Sequence, residues 1–363
     1  THRQSSAASD VYKRQDRSLI KMLKIESTPA KVCLGISAFL FLLYSVTFMF
    51  FSTGYVTGGD TGFALLDNGL AGMLDDPAYG KGGVESSFNG VLFFGIFIST
   101  MLIFFEGAKG KWTIMLPVII GSITMTACIW LNWNPDSEAS AAPKYVSILV
   151  TLVYIGAYAL LREEGVNEGL SDYKPGLKVD DKVAMLALVL LVLSGLYYAL
   201  RMIFTPDDVI AQGFPASEDW EGKIDDAKGL GIPLPTTVSV TGAMILVYTL
   251  WSALVLTDGA KGKWTVMHPS AMAFIAATVS TYVGLVAGLS RTTSDTNKMD
   301  VLTIPLVMLL VLISYYRLKD EGMEDGMTFM GEPMEDGGKF TVALLTLALV
   351  LGLLTMVNEV LLA

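Results

Sequence analysis

The sequence predicts an all-α integral membrane protein, with tandem parallel repeats of a four-transmembrane-helix unit and a ninth helix that looks like the start of a third copy. Hydrophobic residues make up 52% of the chain and charged residues only 17%, too few to cover a soluble surface. Nine apolar runs are each about 20 residues long, the length that crosses a bilayer. The heptapeptide GAKGKWT occurs at 107–113 and again at 259–265.

The nine runs are predicted to be transmembrane helices, because lipid offers no water to satisfy backbone polar groups. They lie at approximately 30–52, 89–106, 111–133, 144–162, 182–204, 236–257, 263–289, 298–317 and 339–362. Lys and Arg concentrate on the side that holds the N-terminus and both GAKGK turns. The positive-inside rule therefore predicts that these parts are cytoplasmic and that the long acidic loops at 53–88 and 205–235 are external.

Residues 1–21 are interpreted as a non-native or disordered leader. Their segment THRQSSAASDVYKRQ is polar, lacks apolar periodicity and resembles a translated adapter sequence. The rest of the chain has 20 basic and 33 acidic residues, a net charge of −13, so a nucleic-acid partner is not expected. The two cysteines, Cys33 and Cys128, both fall inside apolar runs and suggest no disulfide framework.

The repeated heptapeptide belongs to a longer duplication. FFEGAKGKWTIMLP (104–117) aligns with LTDGAKGKWTVMHP (256–269), and LREEGVNEGL (161–170) aligns with LKDEGMEDGM (318–327). We therefore predict a first four-helix repeat at 22–178 and a second at 179–336. Four spans is an even number, so both copies enter the membrane in the same orientation, unlike inverted-repeat transporters. Residues 337–363 look like the first helix of a third copy, either truncated in a fragment or a lone closing helix.

The two turns are predicted to anchor the repeats at the membrane surface. Gly suits the left-handed residue after a helix, Lys reaches the lipid headgroups, and Trp favours the interface. The predicted anchors are Glu106, Gly107, Lys109, Lys111, Trp112, Asp258, Gly259, Lys261, Lys263 and Trp264. Glu106 and Asp258 oppose the helix macrodipole, so we expect the lysines of the same turn to pair with them. The alternative is an ion or phosphate site made of these Lys–carboxylate pairs.

Two further features are candidates for packing or chemistry. The seventh span carries small residues at four-residue spacing, which favour close helix packing or, alternatively, line a pore: Ala276, Ser280, Gly284 and Gly288. His268 is the only histidine outside the leader and is a candidate for a proton relay or ligand contact, although a packing role is the simpler interpretation. The matching residue in the first copy is Leu116.

No catalytic, cofactor or metal motif is apparent, so the sequence predicts no catalytic, cofactor-binding or metal-ligating residue. We expect a non-enzymatic scaffold or membrane-complex subunit in contact with the lipid bilayer and with membrane-protein partners or further copies of itself. One alternative is a small-solute or ion transporter or channel with a path lined by the third and seventh spans. A weaker alternative is a membrane enzyme that uses carboxylates of the external loops.

Overall fold

The computed structural model describes residues 23–50, 83–132, 142–213, 235–286, 298–329, 332–334 and 337–361. Ten α-helices lie within these ranges: α1 Thr28–Phe50, α2 Gly83–Glu106, α3 Trp112–Leu131, α4 Ala142–Leu160, α5 Lys182–Phe204, α6 Pro206–Gly213, α7 Pro235–Asp258, α8 Trp264–Val286, α9 Lys298–Arg317 and α10 Gly337–Leu361. A 3-10 turn follows α9 at Leu318–Glu321, and two short strands, Thr328–Phe329 and Glu332–Pro333, form an antiparallel hairpin.

Each of the nine predicted spans coincides with a helix, and the described ends differ from the predicted ones by at most three residues, apart from the start of α2, which lies six residues earlier than predicted. In that part of the chain, seven helices are long and apolar enough to cross a membrane: α1 to α5, α7 and α9. Large apolar side chains such as Phe39, Leu152, Leu193 and Leu302 point away from the protein. Exposed apolar surface on this scale is suited to lipid. The chain is therefore a helical, multi-pass integral membrane protein, as predicted.

The long helices form two groups with the same pattern of neighbours. In the first quartet, α1 to α4, helix α1 packs on α2 and α4, and α3 packs on α4. In the second quartet, α5 and α7 to α9, helix α5 packs on α7 and α9, and α8 packs on α9. Gly90 of α2 and Gly242 of α7 lie at close helix crossings, because a Cβ at either would come within 3 Å of a backbone oxygen on α1 or α5.

The quartets meet through a crossed pair of contacts. Helix α3 packs on α7, and α2 packs on α8. Tyr248 of α7 donates to the Leu92 carbonyl, 2.6 Å away, and the Trp251 indole donates to the Ile114 carbonyl, 3.4 Å away. Both aromatic side chains are almost completely buried. In each bond the acceptor is a backbone carbonyl within a helix of the first quartet. The quartets are therefore joined by hydrogen bonds as well as by packing.

Burial identifies the central helices. Of the apolar stretch of α7, 72% is buried inside the protein, against 50% for α3. The described residues of α8 from Trp264 to Phe274 are all buried. The small residues of the seventh span predicted close packing there, and its helix α8 is mostly buried. The deep burial of α7 was not predicted from the sequence, and α3, which the transporter alternative places along a path with α8, is only half buried.

Candidate functional site: the paired turns and their linkers

Each GAKGK turn begins with a glycine in the left-handed conformation. Gly107 has φ 84° and its N–H donates to the Ile103 carbonyl at 3.0 Å. Gly259 has φ 90° and its N–H donates to the Val255 carbonyl at 3.1 Å. A side chain at this φ is strained, so glycine is the residue that ends the helix here without cost.

The first turn is bound to the segment after α4. We call residues 161–170 the first linker. The N–H of Gly110 donates to the Gly165 carbonyl, and the N–H of Trp112 donates to the Val166 carbonyl, both at 3.0 Å. The Trp112 indole donates to the Glu168 carbonyl at 3.0 Å. These bonds satisfy backbone donors at the start of α3, which have no partner inside the helix.

The second turn is bound in the same way to residues 318–327, the second linker. The N–H of Gly262 donates to the Gly322 carbonyl at 2.9 Å, and the N–H of Trp264 donates to the Met323 carbonyl at 3.1 Å. Met323 is fully buried, as is Val166 in the first linker. The acidic residues of both linkers are typical of solvated segments. Both linkers are instead folded against the turns, because their backbone carbonyls accept hydrogen bonds at the start of the helix that follows each turn.

A glutamate in each linker binds the start of another helix. Glu164 accepts hydrogen bonds from the backbone N–H groups of Glu26 at 3.0 Å and Ser27 at 2.7 Å, just before α1. Glu321 accepts from the N–H groups of residues 180–181, at 3.3 and 2.6 Å, just before α5. A carboxylate at a helix N-terminus is favoured by the macrodipole and by the free donors. Each linker therefore ties three helices of its quartet together.

The two acids at the ends of α2 and α7 have different partners. Asp258 lies 2.7 Å from the Lys263 ammonium in the same turn and 3.7 Å from Lys178. Lys263 is only 12% exposed, so its charge is compensated by this carboxylate. Glu106 accepts a hydrogen bond from the Thr328 hydroxyl of the hairpin. A same-turn lysine thus pairs with Asp258. Glu106 lies near Lys111 of its own turn and also binds across to the other quartet's linker region.

The charged parts of the two turns approach each other. Burial lowers the pKa of Lys111, the nearby Glu106 carboxylate raises it, and the positive charges of Lys263 and Lys24 lower it further. The pKa of Lys111 therefore stays below its ordinary value. Glu106 at the first turn binds Thr328, which directly follows the second linker, and the second linker binds the second turn, so both turns lie at one end of the bundle.

The outer lysines of the turns contribute less. Lys109 lies 3.1 Å from Glu168, and Lys261 lies 4.0 Å from Asp325. Both lysines and both acids are more than half exposed. Exposed ion pairs of this kind are worth about 0–1 kcal/mol. We therefore attribute the strength of the turn–linker contact to backbone hydrogen bonds rather than to these pairs.

His268 belongs to a hydrogen-bonded chain that leads to the second linker. Its Nε2 lies 2.7 Å from the Tyr315 hydroxyl, which donates to Glu324. The Lys319 ammonium lies 2.9 Å from Glu324. Burial raises the pKa of Glu324, but the hydrogen bonds from Tyr315 and Lys319 outweigh it and the pKa falls below its ordinary value. His268 is 3% exposed and lies beside the Trp264 ring.

The first quartet has an uncharged counterpart of this series of hydrogen bonds. Tyr158 donates to the Asn167 side-chain oxygen, as Tyr315 does to Glu324. Leu116 takes the place of the histidine. The tyrosine-to-linker bond therefore serves both quartets, and the histidine and the carboxylate occur only in the second. The proton-relay role of His268 stays a prediction.

The small residues predicted to pack are only partly described. Ala276 and Ser280 are buried in α8, at 2% and 1% exposure. The Ala276 carbonyl would lie 2.8 Å from a Cβ at Gly352, so α10 crosses α8 closely at this point. Gly284 lies in α8, but its surroundings are outside the described residues, and Gly288 lies outside them altogether.

The external loop carboxylates considered for an enzyme lie outside the described residues, except for Asp207 and Asp208 in α6. In the described part of the chain no group of three or more His, Cys, Asp or Glu side chains is placed to hold a metal ion.

Sequence reasoning missed the linker glutamates as structural residues. Glu164 and Glu321 occupy the same position in the two aligned linker segments, four residues into each. The shared position of the two glutamates in the alignment is the sequence signal that could have identified them as structural residues. Acidic side chains flank them at 163 and 320, and this made the whole segment look solvated.

No family model matches the chain, and no curated protein and no solved structure matches it. Its function is therefore inferred from its physical features alone.

Proposed function

We propose that the chain is a non-enzymatic membrane scaffold or membrane-complex subunit, built from two tandem four-helix repeats in the same orientation. The observation that carries the proposal is the matched pair of turn–linker contacts. Gly110 to Gly165 in the first quartet corresponds to Gly262 to Gly322 in the second, and Glu164 corresponds to Glu321. Matched residues of the alignment make matched bonds, as expected if one folding unit were duplicated.

The repeat layout also accounts for how the quartets meet. Helix α2, the second helix of the first quartet, packs on α8, the third long helix of the second quartet. Helix α3, the third of the first quartet, packs on α7, the second long helix of the second quartet. Such an exchange is expected of two like-oriented copies related by an axis along the membrane normal. The positive-inside rule favours a cytoplasmic location for the turn end of the bundle.

A static role is supported by the closed interface between the quartets. On the second quartet's side, the Tyr248 ring packs edge-on against the Trp251 ring of the same helix and the Phe274 ring of α8, with ring centroids 5.0 and 5.6 Å apart. Gly95 and Gly121 bring the backbones close, because a Cβ at Gly95 would lie 3.1 Å from the Pro269 carbonyl and one at Gly121 would lie 3.2 Å from the Ala243 carbonyl. Close backbone approach and filled interiors favour a fixed assembly over a moving one.

The transporter alternative depends on a path lined by α3 and α8. Two of the three hydroxyl side chains in the apolar middle of α3 have other partners. Thr126 lies 3.0 Å from the Thr151 hydroxyl of α4 and 3.1 Å from the Ser147 carbonyl, and Thr124 donates within α3. The third, the Ser122 hydroxyl, is buried and has no hydrogen-bond partner among the described residues. This alternative stays a prediction that a flux experiment tests.

The experiment uses the full chain reconstituted into liposomes. We expect fluxes of H⁺, Na⁺, K⁺, Cl⁻ and phosphate equal to those of protein-free liposomes, with gramicidin as the positive control. Blue native electrophoresis of membranes should show the chain in a particle larger than a single 39.1 kDa chain. Protein-dependent flux of any of these ions, or a strictly monomeric particle, contradicts the scaffold proposal.

A further inference from the structure

The outer face of α3 and the aligned face of α8 lie in different surroundings. The two GAKGKWT segments are 152 residues apart, so Ile120 of α3 aligns with Met272 of α8. Ile120 is 45% exposed, whereas Met272 is only 2% exposed. The next pair along the face differs in the same way, because Ile123 is 49% exposed and the aligned Ile275 is 5% exposed. The same face of the aligned helices is therefore open on the first quartet and covered on the second.

Helix α10 covers this face of α8. Its Ala348 is fully buried and packs against Met272 and Ile275. Four residues further along, Gly352 lies so close to α8 that a Cβ there would come 2.8 Å from the Ala276 carbonyl. Small residues four apart let two helices approach closely in lipid, where packing rather than the hydrophobic effect holds them together. The pair of small residues in α10 therefore allows it to lie directly against α8.

The helices beside this site also have counterparts in the first quartet. Phe94 of α2 packs against the site on one side, and Met308 and Leu312 of α9 pack against it on the other. Helices α7 and α4 correspond to α2 and α9, and both pack on α3. The first quartet thus repeats the surroundings in which α10 lies, and no helix of the described residues covers Ile120 and Ile123 there.

The exposed surface of α3 has room for a second helix. We call the surface formed by Ile120, Ile123, Thr124 and Ala127 the α3 face. Thr124 aligns with Ala276, the residue that α10 approaches most closely on α8. The Thr124 hydroxyl donates to the Ile120 carbonyl of its own helix at 2.8 Å, so it needs no partner outside α3. The α3 face therefore presents short side chains beside two isoleucines, as α8 does beneath α10.

We propose that the α3 face binds a transmembrane helix of a partner protein, and that this helix resembles α10 in carrying small residues four apart among leucine and valine. Helix α10 already lies on α8, in this chain as in any second copy, so the occupant is a different helix. No charged residue lies between Ile120 and Leu131, so the partner helix is uncharged where it crosses α3. The inference rests on the membrane-complex role proposed above and assigns the surface at which another subunit docks.

The experiment uses a synthetic peptide with the sequence of α10, residues 337–361, added to the full chain in maltoside micelles and counted by native mass spectrometry. We expect one saturable peptide per chain. Ile123→Trp fills the α3 face and should weaken this binding about tenfold. The control Leu152→Trp, on the lipid-exposed face of α4, should leave the binding unchanged. A peptide carrying Ala348→Leu and Gly352→Leu should also bind about tenfold more weakly, because it cannot approach α3 closely.

Each other occupant of the α3 face gives a different result. Absence of saturable peptide binding means that lipid covers the face, and this contradicts the proposal. Binding that Ile123→Trp leaves unchanged means that the peptide displaces α10 from α8, which also contradicts it. Equal binding of the substituted and unaltered peptides contradicts the close approach.

A second copy of the chain is tested separately, in liposomes, with Ile123→Cys in a chain whose Cys33 and Cys128 are replaced by alanine. Oxidation should give no more disulfide-linked dimer than the control Leu152→Cys gives. An excess of dimer means that a second copy covers the α3 face and contradicts a partner protein. Loss of peptide binding does not depend on ion flux, and ion flux through a chain that binds the peptide contradicts only the scaffold role, so the two proposals fail separately.

Discussion

Replacing the carboxylate of Glu164 tests whether the first linker holds the start of α1. Both carboxylate oxygens accept backbone N–H groups, from Ser27 at 2.7 Å and from Glu26 at 3.0 Å. Glu164→Gln keeps one acceptor and presents an amide N–H to the other donor. It also removes the negative charge that the helix N-terminus favours. The loss of one hydrogen bond to the partly exposed carboxylate and the loss of its interaction with the helix macrodipole should together destabilise the chain by about 1.5 kcal/mol.

The assay is unfolding of the full chain in mixed micelles by titration with dodecyl sulfate, followed by tryptophan fluorescence. Glu163→Gln is the matched control, because Glu163 is the exposed neighbour in the same linker. Surface changes of this kind stay within about 0.5 kcal/mol. If Glu164→Gln and Glu163→Gln unfold at the same dodecyl sulfate fraction, the carboxylate does not secure the helix and the reasoning fails.

Two further predictions test other contacts in the same assay. Gly95→Ala should destabilise the chain by about 1–3 kcal/mol, because the added Cβ would overlap the Tyr248 hydroxyl. The control Gly35→Ala, where an added Cβ would have nothing within 4 Å, should be neutral or stabilising by up to about 1 kcal/mol. Equal effects of the two substitutions would show that the quartets do not meet closely at Gly95. Asp181 accepts a hydrogen bond from Arg317, which lowers the pKa of the Asp181 carboxyl. This pair should therefore stabilise the folded chain at pH values above the unfolded-state pKa of about 3.9, and that stabilisation should be lost as the pH falls below that value. If Arg317→Gln leaves the pH dependence of unfolding unchanged, the prediction is wrong.

Hydropathy was sufficient for the class of fold because each span must be apolar and helical in lipid. It did not distinguish helices buried by protein from helices buried by lipid, since both environments select the same side chains. By mean hydropathy α5 is more apolar than α7, yet 72% of the α7 stretch is buried inside the protein and only 28% of the α5 stretch. Which helix lies at the centre depends on contacts between distant residues, such as Tyr248 with Leu92.

The candidate site was predictable at the turns and not at the linkers. The turn glycines were recognisable because a helix end that continues into a tight turn calls for a positive φ, as Gly107 and Gly259 adopt. The linker bonds use backbone carbonyls, which every residue carries, so composition gave no sign of them.

The central claim is that two like-oriented quartets place both turns on one side of the membrane. Its most direct test is labelling of Lys109→Cys, Lys261→Cys and Asp207→Cys variants, in a chain whose Cys33 and Cys128 are replaced by alanine, with a maleimide that cannot cross the bilayer. In sealed vesicles of one known orientation, the account predicts that the variants at 109 and 261 react from the same side and that the variant at 207 reacts only from the other. Reaction of 109 and 261 from opposite sides would contradict it.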